Sequence, residues 1–280
     1  MVGESAVNTG RVFWCLFCGL GGKRTKEHVL RRSFKTPFSP DLVHTEMTNQ
    51  VWLGDGTHKT RQHKNSQFDA TVNEVCESCN NGWLEDLENE VESPLLQMAE
   101  VATDTPAPMP GAWVGKVADL QLWMTTRALM RTAMEARSHR APEELFRAAY
   151  ETRRPPRGTI IHAAVATHYV QHGGLYQWGY APEAGAPRDL SQAPPSSYVG
   201  SVSFGFGFLF FQVFLNGGSP VARRAASDAR RWSASANPAA LRLFFPFDDS
   251  PRLRVRLGRE EAYSAAEVMT HGHNSHGAVT

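Results

Sequence analysis

Cysteine is scarce in this chain. Four occur in 280 residues, and all four sit in pairs. The first ten residues lack the charged start and apolar run of a secretory leader, so the chain is expected to be cytoplasmic. With so few cysteines and no sign of secretion, a disulfide framework is not the expected fold device. An excess of charge is also missing: 29 Lys and Arg stand against 28 Asp and Glu, a formal net charge of +1. No strong global pull toward nucleic acid follows from that balance. The longest apolar stretch, "SVSFGFGFLFFQVFLNG" at 201–217, is too short to cross a bilayer as a helix, and no membrane partner is expected. Its Phe-rich, Gly-punctuated character suits buried strands. Repeats, low-complexity tracts and a Gly-rich phosphate loop of the P-loop kind are likewise missing.

Hydrophobic residues make up 41% and charged residues 20%, which places the chain among ordinary globular proteins with ample material for a core. The charges are unevenly spread. Residues 11–64 hold ten Lys and Arg against four acids, and residues 65–100 hold nine acids and no Lys or Arg. A basic patch therefore precedes an acidic helix. Taken alone, this reads equally well as two solvated faces of opposite sign.

The cysteines form two C-x-x-C pairs, "CLFC" (Cys15, Cys18) and "CESC" (Cys76, Cys79), with 57 residues between them. Each pair can present two thiolates to one ion. Two such pairs complete the tetrahedral sulfur shell that structural Zn2+ prefers. A thioredoxin-like redox motif needs only one such pair on a βα unit, and reduced core cysteines would not explain the matched spacing. Such a site clamps residue 15 to residue 79 and fixes what lies between. Inside the clamp stands Glu27-His28, in "KRTKEHVL". Directly after Cys79 come Asn80 and Asn81, then Gly82-Trp83 and a helix marked by Leu84, Leu87 and Val91. Ser93-Pro94 reads as the N-cap and first residue of a second helix. Trp83 reads as the anchor of its helix in the core.

The order of "CLFC", "KRTKEHVL" and "NEVCESCNNGW", spanning roughly residues 13–92, resembles the HNH endonucleases, the ββα-metal or His-Me finger nucleases. The resemblance implies an α+β chain: an N-terminal zinc-stabilised ββα-metal module over 1–100, a Pro-rich linker at 101–112, a helical and β-strand accessory domain over 113–262, and a flexible tail at 263–280. It implies a metal-dependent endonuclease that hydrolyses phosphodiester bonds of DNA, with RNA as a further substrate class, acting in phage defence or restriction. Carried over residue by residue, it makes His28 the general base. Glu27 and Asn80 become the holders of a catalytic Mg2+ or Mn2+. Asn73 becomes the residue that pins the His-bearing loop, Asn81 a rival to Asn80, and Glu88 an extra ligand. The chain departs from the pattern after Val29. A proline usually follows closely there, and Leu30-Arg31-Arg32 stands in its place. The gap between the cysteine pairs is also long, which implies an inserted loop around 36–68. The alternative reading is a non-catalytic zinc-binding module for nucleic acid or protein.

The chemistry supports the carry-over on its own terms. A neutral imidazole can take a proton from water near pH 7. A hard divalent ion prefers oxygen donors of the kind Glu27 and an Asn amide supply. Neighbouring residues on extended backbone point to opposite sides, so Glu27 and His28 can serve two sides of one scissile bond. Lys23, Arg24, Lys26, Arg31 and Arg32 would grip neighbouring phosphates. His44, His58 and His63 read as surface loop residues.

Beyond the linker, apolar spacing predicts helices over about 117–137 and 141–152, the latter with Pro142 in its first turn. Strands are expected at 159–170, 197–205, 208–216, 240–247 and 252–258. In the last of these, Arg252, Arg254 and Arg256 alternate with apolar residues, as a nucleic-acid surface or a charged guard on a sheet edge would. His162 and His168 read as ordinary sheet residues. This half is expected to supply target choice, a homo-oligomer contact or docking of a protein partner.

Overall fold

A computed structural model of the chain describes residues 13–35, 47–52, 58–63, 67–100, 115–135, 140–166, 175–180, 194–206, 209–224 and 256–257. The first unit is a hairpin followed by a helix. Strand β1 (Arg24–His28) pairs antiparallel with β4 (Thr71–Cys76), from Arg24 opposite Cys76 to His28 opposite Thr71. The register slips by a bulge between Thr25 and Glu27. Bulges turn side chains locally without ending the ladder, and this one sets Glu27 on the buried side, opposite Val72. The long intervening stretch carries a second hairpin, β2 (Met47–Trp52) with β3 (His58–His63). The predicted inserted loop therefore holds paired strands.

After β4 the chain passes through a helical turn (Glu77–Cys79) and a wider-wound stretch (Asn80–Leu84), then enters helix α1 (Glu85–Glu100). Gly82 takes φ −116° and ψ −114° there, outside helical values, and kinks the entry. The expectation of a second helix starting at Ser93-Pro94 is corrected: α1 runs through Pro94 without a break. Proline inside a helix removes one backbone bond and costs about 3 kcal/mol. Fully buried Val91 and Leu95 flank it, and their burial offsets that cost.

Helix α2 (Val117–Ala133) is the hub. It is buried on every side from Leu120 to Thr132, which apolar periodicity on one face alone would not require. Helix α3 (Glu143–Thr152) follows, with Pro142 at its N-cap. Arg153 closes it in the left-handed region, φ 52°. There its guanidinium lies 4.3 Å from the Tyr150 ring and 4.5 Å from the Trp83 ring, cation–π contacts that help hold an unfavourable backbone angle.

The remaining strands make a five-stranded sheet in the order β6-β7-β8-β5-β9. These are β5 (Ile160–Ala166), β6 (Leu175–Tyr180), β7 (Tyr198–Phe206), β8 (Leu209–Asn216) and β9 (Arg256–Leu257). All pairs are antiparallel except β5 with β9. Every residue of β7 is buried, Ser201 and Ser203 included, as in a strand covered on both faces. Trp123 of α2 packs edge-on against Phe204, Phe206 and Phe211, at 6.0 to 6.2 Å between ring centres. Phe34, from the short turn after β1, stacks on Phe206 at 5.0 Å. One hydrophobic core thus runs from the cysteine pairs through α2 to the sheet. The predicted linker at 101–112, the strand at 240–247 and the tail at 263–280 lie outside the described residues, as do His44, His168, Arg252 and Arg254. Among the described residues, no helix is long and apolar enough to cross a membrane.

Candidate metal centre and the adjoining Glu27-His28 segment

The first C-x-x-C pair sits in a tight turn. Gly19 N–H donates to Cys15 O at 2.9 Å, with Gly19 at φ +69°, a value that favours glycine. Leu16 N–H donates to Glu74 O and Glu77 N–H to Lys23 O, which sews this turn to both sides of the second pair. As a result the sulfurs of Cys15, Cys18, Cys76 and Cys79 all lie within 4.8 Å of one another. The Cys18–Cys76 separation is 3.7 Å. A tetrahedron of sulfurs about 2.3 Å from a central Zn2+ has edges of about 3.8 Å, so the donor set fits that ion. The Cys76 N–H donates to Cys15 Sγ at 3.4 Å, and the Ser78 hydroxyl lies 3.2 Å from Cys76 Sγ. Such polar neighbours orient thiolate ligands. Hydrogen bonding from Cys79 pulls the Cys15 thiol down, and the same bond, with burial, pushes Cys79 up. Burial raises Cys18. Four sulfurs this close share protons unless a cation holds them all ionised. The four cysteines can hold a metal ion such as zinc. Among the described residues they are the only group of His, Cys, Asp and Glu that clusters in this way.

The clamp is packed from outside by aromatic rings. Phe17, fully buried within the first pair, meets Trp83 at 5.2 Å and Phe146 at 5.4 Å, both edge-on. Trp83 thus anchors the helix entry in the core.

Glu27 lies on the buried side of β1, only 6% exposed. Its Oε1 is 3.2 Å from Arg127 Nη1, a partner 100 residues away on α2. The same nitrogen donates to the carbonyls of His28 at 3.0 Å and Val29 at 3.5 Å, and lies 2.9 Å from Glu88 Oε1. Glu88 Oε1 is close in distance but not aligned to accept a hydrogen bond. Burial pushes the Glu27 carboxyl up to about 7. The Arg127 charge opposes that rise and the Glu88 charge adds to it. Two carboxyls share one guanidinium, so the cluster carries one negative charge too many if both ionise.

His28 is half-buried and sits across from Thr71. Strand alternation puts Thr71 and exposed Asn73 on the face of the hairpin opposite Val72. Burial lowers His28, with Arg32 acting in the same direction, while Asp69 and Glu88 oppose them. Burial thus favours the neutral form of the imidazole. Helix α1 brings Glu88 beside Glu27. Asn80 precedes Glu88 by eight positions, about 12 Å along a helix axis, and lies at the cysteine end of the unit. Sequence reasoning noted Glu88 as an extra ligand and missed Arg127.

The basic residues divide. Lys23 pairs with Glu77 at 2.7 Å, and Arg31 with Glu92 at 3.2 Å and Asn89 at 2.7 Å. Arg24 lies over the Phe13 ring at 4.9 Å. Lys26 and Arg32 are exposed and make no ion pair among the described residues. The basic segment thus meets the acidic one at Glu77 before α1 and at Glu92 within it. Compared with protein-family models, curated proteins and solved structures, the chain matches none.

Proposed function

We propose that the N-terminal unit is a zinc-clamped phosphodiesterase of the HNH type, acting on nucleic acid through His28. The observation that carries this reading is the strand-strand-helix order of β1, β4 and α1 directly against the four-cysteine cluster, with the half-buried His28 imidazole at the end of β1. In this reading water attacks phosphorus while the imidazole of His28 accepts its proton. The bond from phosphorus to the leaving oxygen breaks, and that oxygen takes a proton from solvent. With both carboxyls ionised the Glu27–Arg127–Glu88 cluster would carry one excess negative charge, and that charge with the out-of-line Glu88 oxygen would suit a hard cation. Glu27 with Glu88 would hold Mg2+ or Mn2+, which would supply neutralisation of charge on the leaving oxygen, while Asn80, at the cysteine end of the unit, stands apart from that pair. Lys26 and Arg32 would meet flanking phosphates, joined by Lys23, Arg24 and Arg31 where substrate displaces their present partners. Asn73 would steady the loop from the same face. DNA is the expected substrate and RNA the next; phage defence or restriction is the setting that the resemblance implies.

One observation favours a second reading, a non-catalytic zinc-binding module for nucleic acid or protein. Glu27 is buried and ion-paired, as a purely structural carboxylate would be. Cleavage of double- and single-stranded DNA and RNA, with Mg2+, Mn2+ or EDTA, separates the two. The nuclease reading expects metal-dependent cleavage by the wild type and none by His28→Ala at unchanged thermal stability. Equal cleavage by both proteins, or none by the wild type on any substrate, removes it.

A further inference from the structure

An arginine with no exposed surface needs a reason to be there. Arg127 sits in the fully buried stretch of α2, and all of its hydrogen bonds run from one nitrogen, Nη1, to the segment 27–29. Its other two nitrogens, Nε and Nη2, are buried without a hydrogen-bond partner among the described residues. A guanidinium held only for its own solvation would spread its donors over several acceptors. This one concentrates them on the end of β1.

That end is where the ladder stops. His28 opposite Thr71 is the last pair, and Val29 N–H donates to Ala70 O at 2.9 Å. Two residues on, Arg31 is tied to α1 through Asn89 and Glu92. The backbone carrying the imidazole is thus held by β4 from one side and by Arg127 from the interior. Glu27 points inward to Arg127, so the next side chain on the strand, His28, is directed to the other face.

We infer that Arg127 is the positioning residue of the Glu27-His28 segment: by gripping the carbonyls of His28 and Val29 and the Glu27 carboxylate, it fixes the direction of the imidazole and makes α2 a working part of the site. The structural half of this inference stands by itself, and only its consequence for cleavage rests on the phosphodiesterase reading. Arg127 does not meet substrate; it acts through His28.

The test uses the full chain carrying Arg127→Lys. The lysine ammonium keeps the charge near Glu27 and Glu88 but ends about one bond short of Nη1, so it releases the two carbonyls. Amide hydrogen exchange at Val29 is expected to quicken about tenfold or more, with zinc content unchanged. If the wild type cleaves nucleic acid, kcat is expected to fall roughly a hundredfold with KM unchanged, the signature of a displaced base. The triple variant Glu27→Gln, Glu88→Gln, Arg127→Met removes all three charges together and leaves no orphaned ion, which guards against misfolding of the single variant. It should show the same loss of protection at Val29. Wild-type exchange at Val29 in either folded variant overturns the inference. So does an unchanged kcat for Arg127→Lys beside an active wild type. A wild type that cleaves nothing removes the phosphodiesterase reading instead and leaves exchange at Val29 to decide the position of Arg127.

Discussion

Raising the pH from 5 to 8 should weaken the folded state through a single side chain, Glu27. Its carboxyl is removed from water, and the one guanidinium beside it is shared with Glu88. Burial therefore prevails over pairing, and the folded-state value rises from 4.5 to about 7. Between those two values the folded chain keeps a proton that the unfolded chain has lost, so stability falls as pH rises and the loss is complete above the higher value. From pH 5 to pH 8 this amounts to about 3 kcal/mol, at about 1.4 kcal/mol per unit. In a chain of this size it corresponds to roughly 6–12 °C in Tm. Glu27→Gln carries no such proton. Urea unfolding of both proteins at pH 5, 6, 7 and 8 isolates the effect, because every other group titrates in both. His28 is among those groups, and its lowered value works in the opposite direction. The stability of the Gln variant relative to wild type is expected to improve by about 3 kcal/mol across that range. Parallel curves, or a wild type that gains on the variant with rising pH, would show that Glu27 is already ionised at pH 5. The reasoning from burial and shared charge would then fail.

Other perturbations probe the packing. Phe17 is fully buried between Trp83 and Phe146, so Phe17→Ala should cost about 3–5 kcal/mol in urea unfolding. A loss under about 1 kcal/mol would mean that these rings do not brace the cysteine turn. Pro94→Ala should raise stability by about 1–3 kcal/mol, since it restores a backbone donor in the middle of α1. An unchanged or lower stability would contradict a continuous helix through that position.

How far the sequence speaks depends on the range of the interaction. The cysteine pairs were legible because their local spacing is itself the chemistry, and the structure brings all four sulfurs together. Helices α2 and α3 and strands β7 and β8 were legible because apolar period and bounding prolines and glycines agree along one stretch. Pro94 misled for the same local reason: a Ser-Pro step looks like a helix start when the burial of Val91 and Leu95 is out of view. Strands were expected in the polar segment between the cysteine pairs, where β2 and β3 lie, but β6, "LYQWGY", was missed, because aromatic alternation is weak evidence without its partner strand. Arg127 left a signal in retrospect. It falls on the stripe of Leu120, Trp123 and Met130, where an arginine demands a buried acid. Which acid, no local pattern could say, because Glu27 lies 100 residues away. Likewise, the ion pairs of Lys23 with Glu77 and Arg31 with Glu92 join segments that sequence shows only as blocks of opposite sign.

The central claim is that four sulfurs distant along the chain meet at one ion and so hold β1 against β4 and α1. Zinc X-ray absorption on the purified full chain, with metal quantified per chain, tests it most directly. The account expects one zinc per chain in a shell of four sulfurs at about 2.3 Å, with Cys76→Ser binding none and losing the thermal transition of the N-terminal unit. A folded wild type without zinc, its four thiols all open to a thiol reagent, would contradict it.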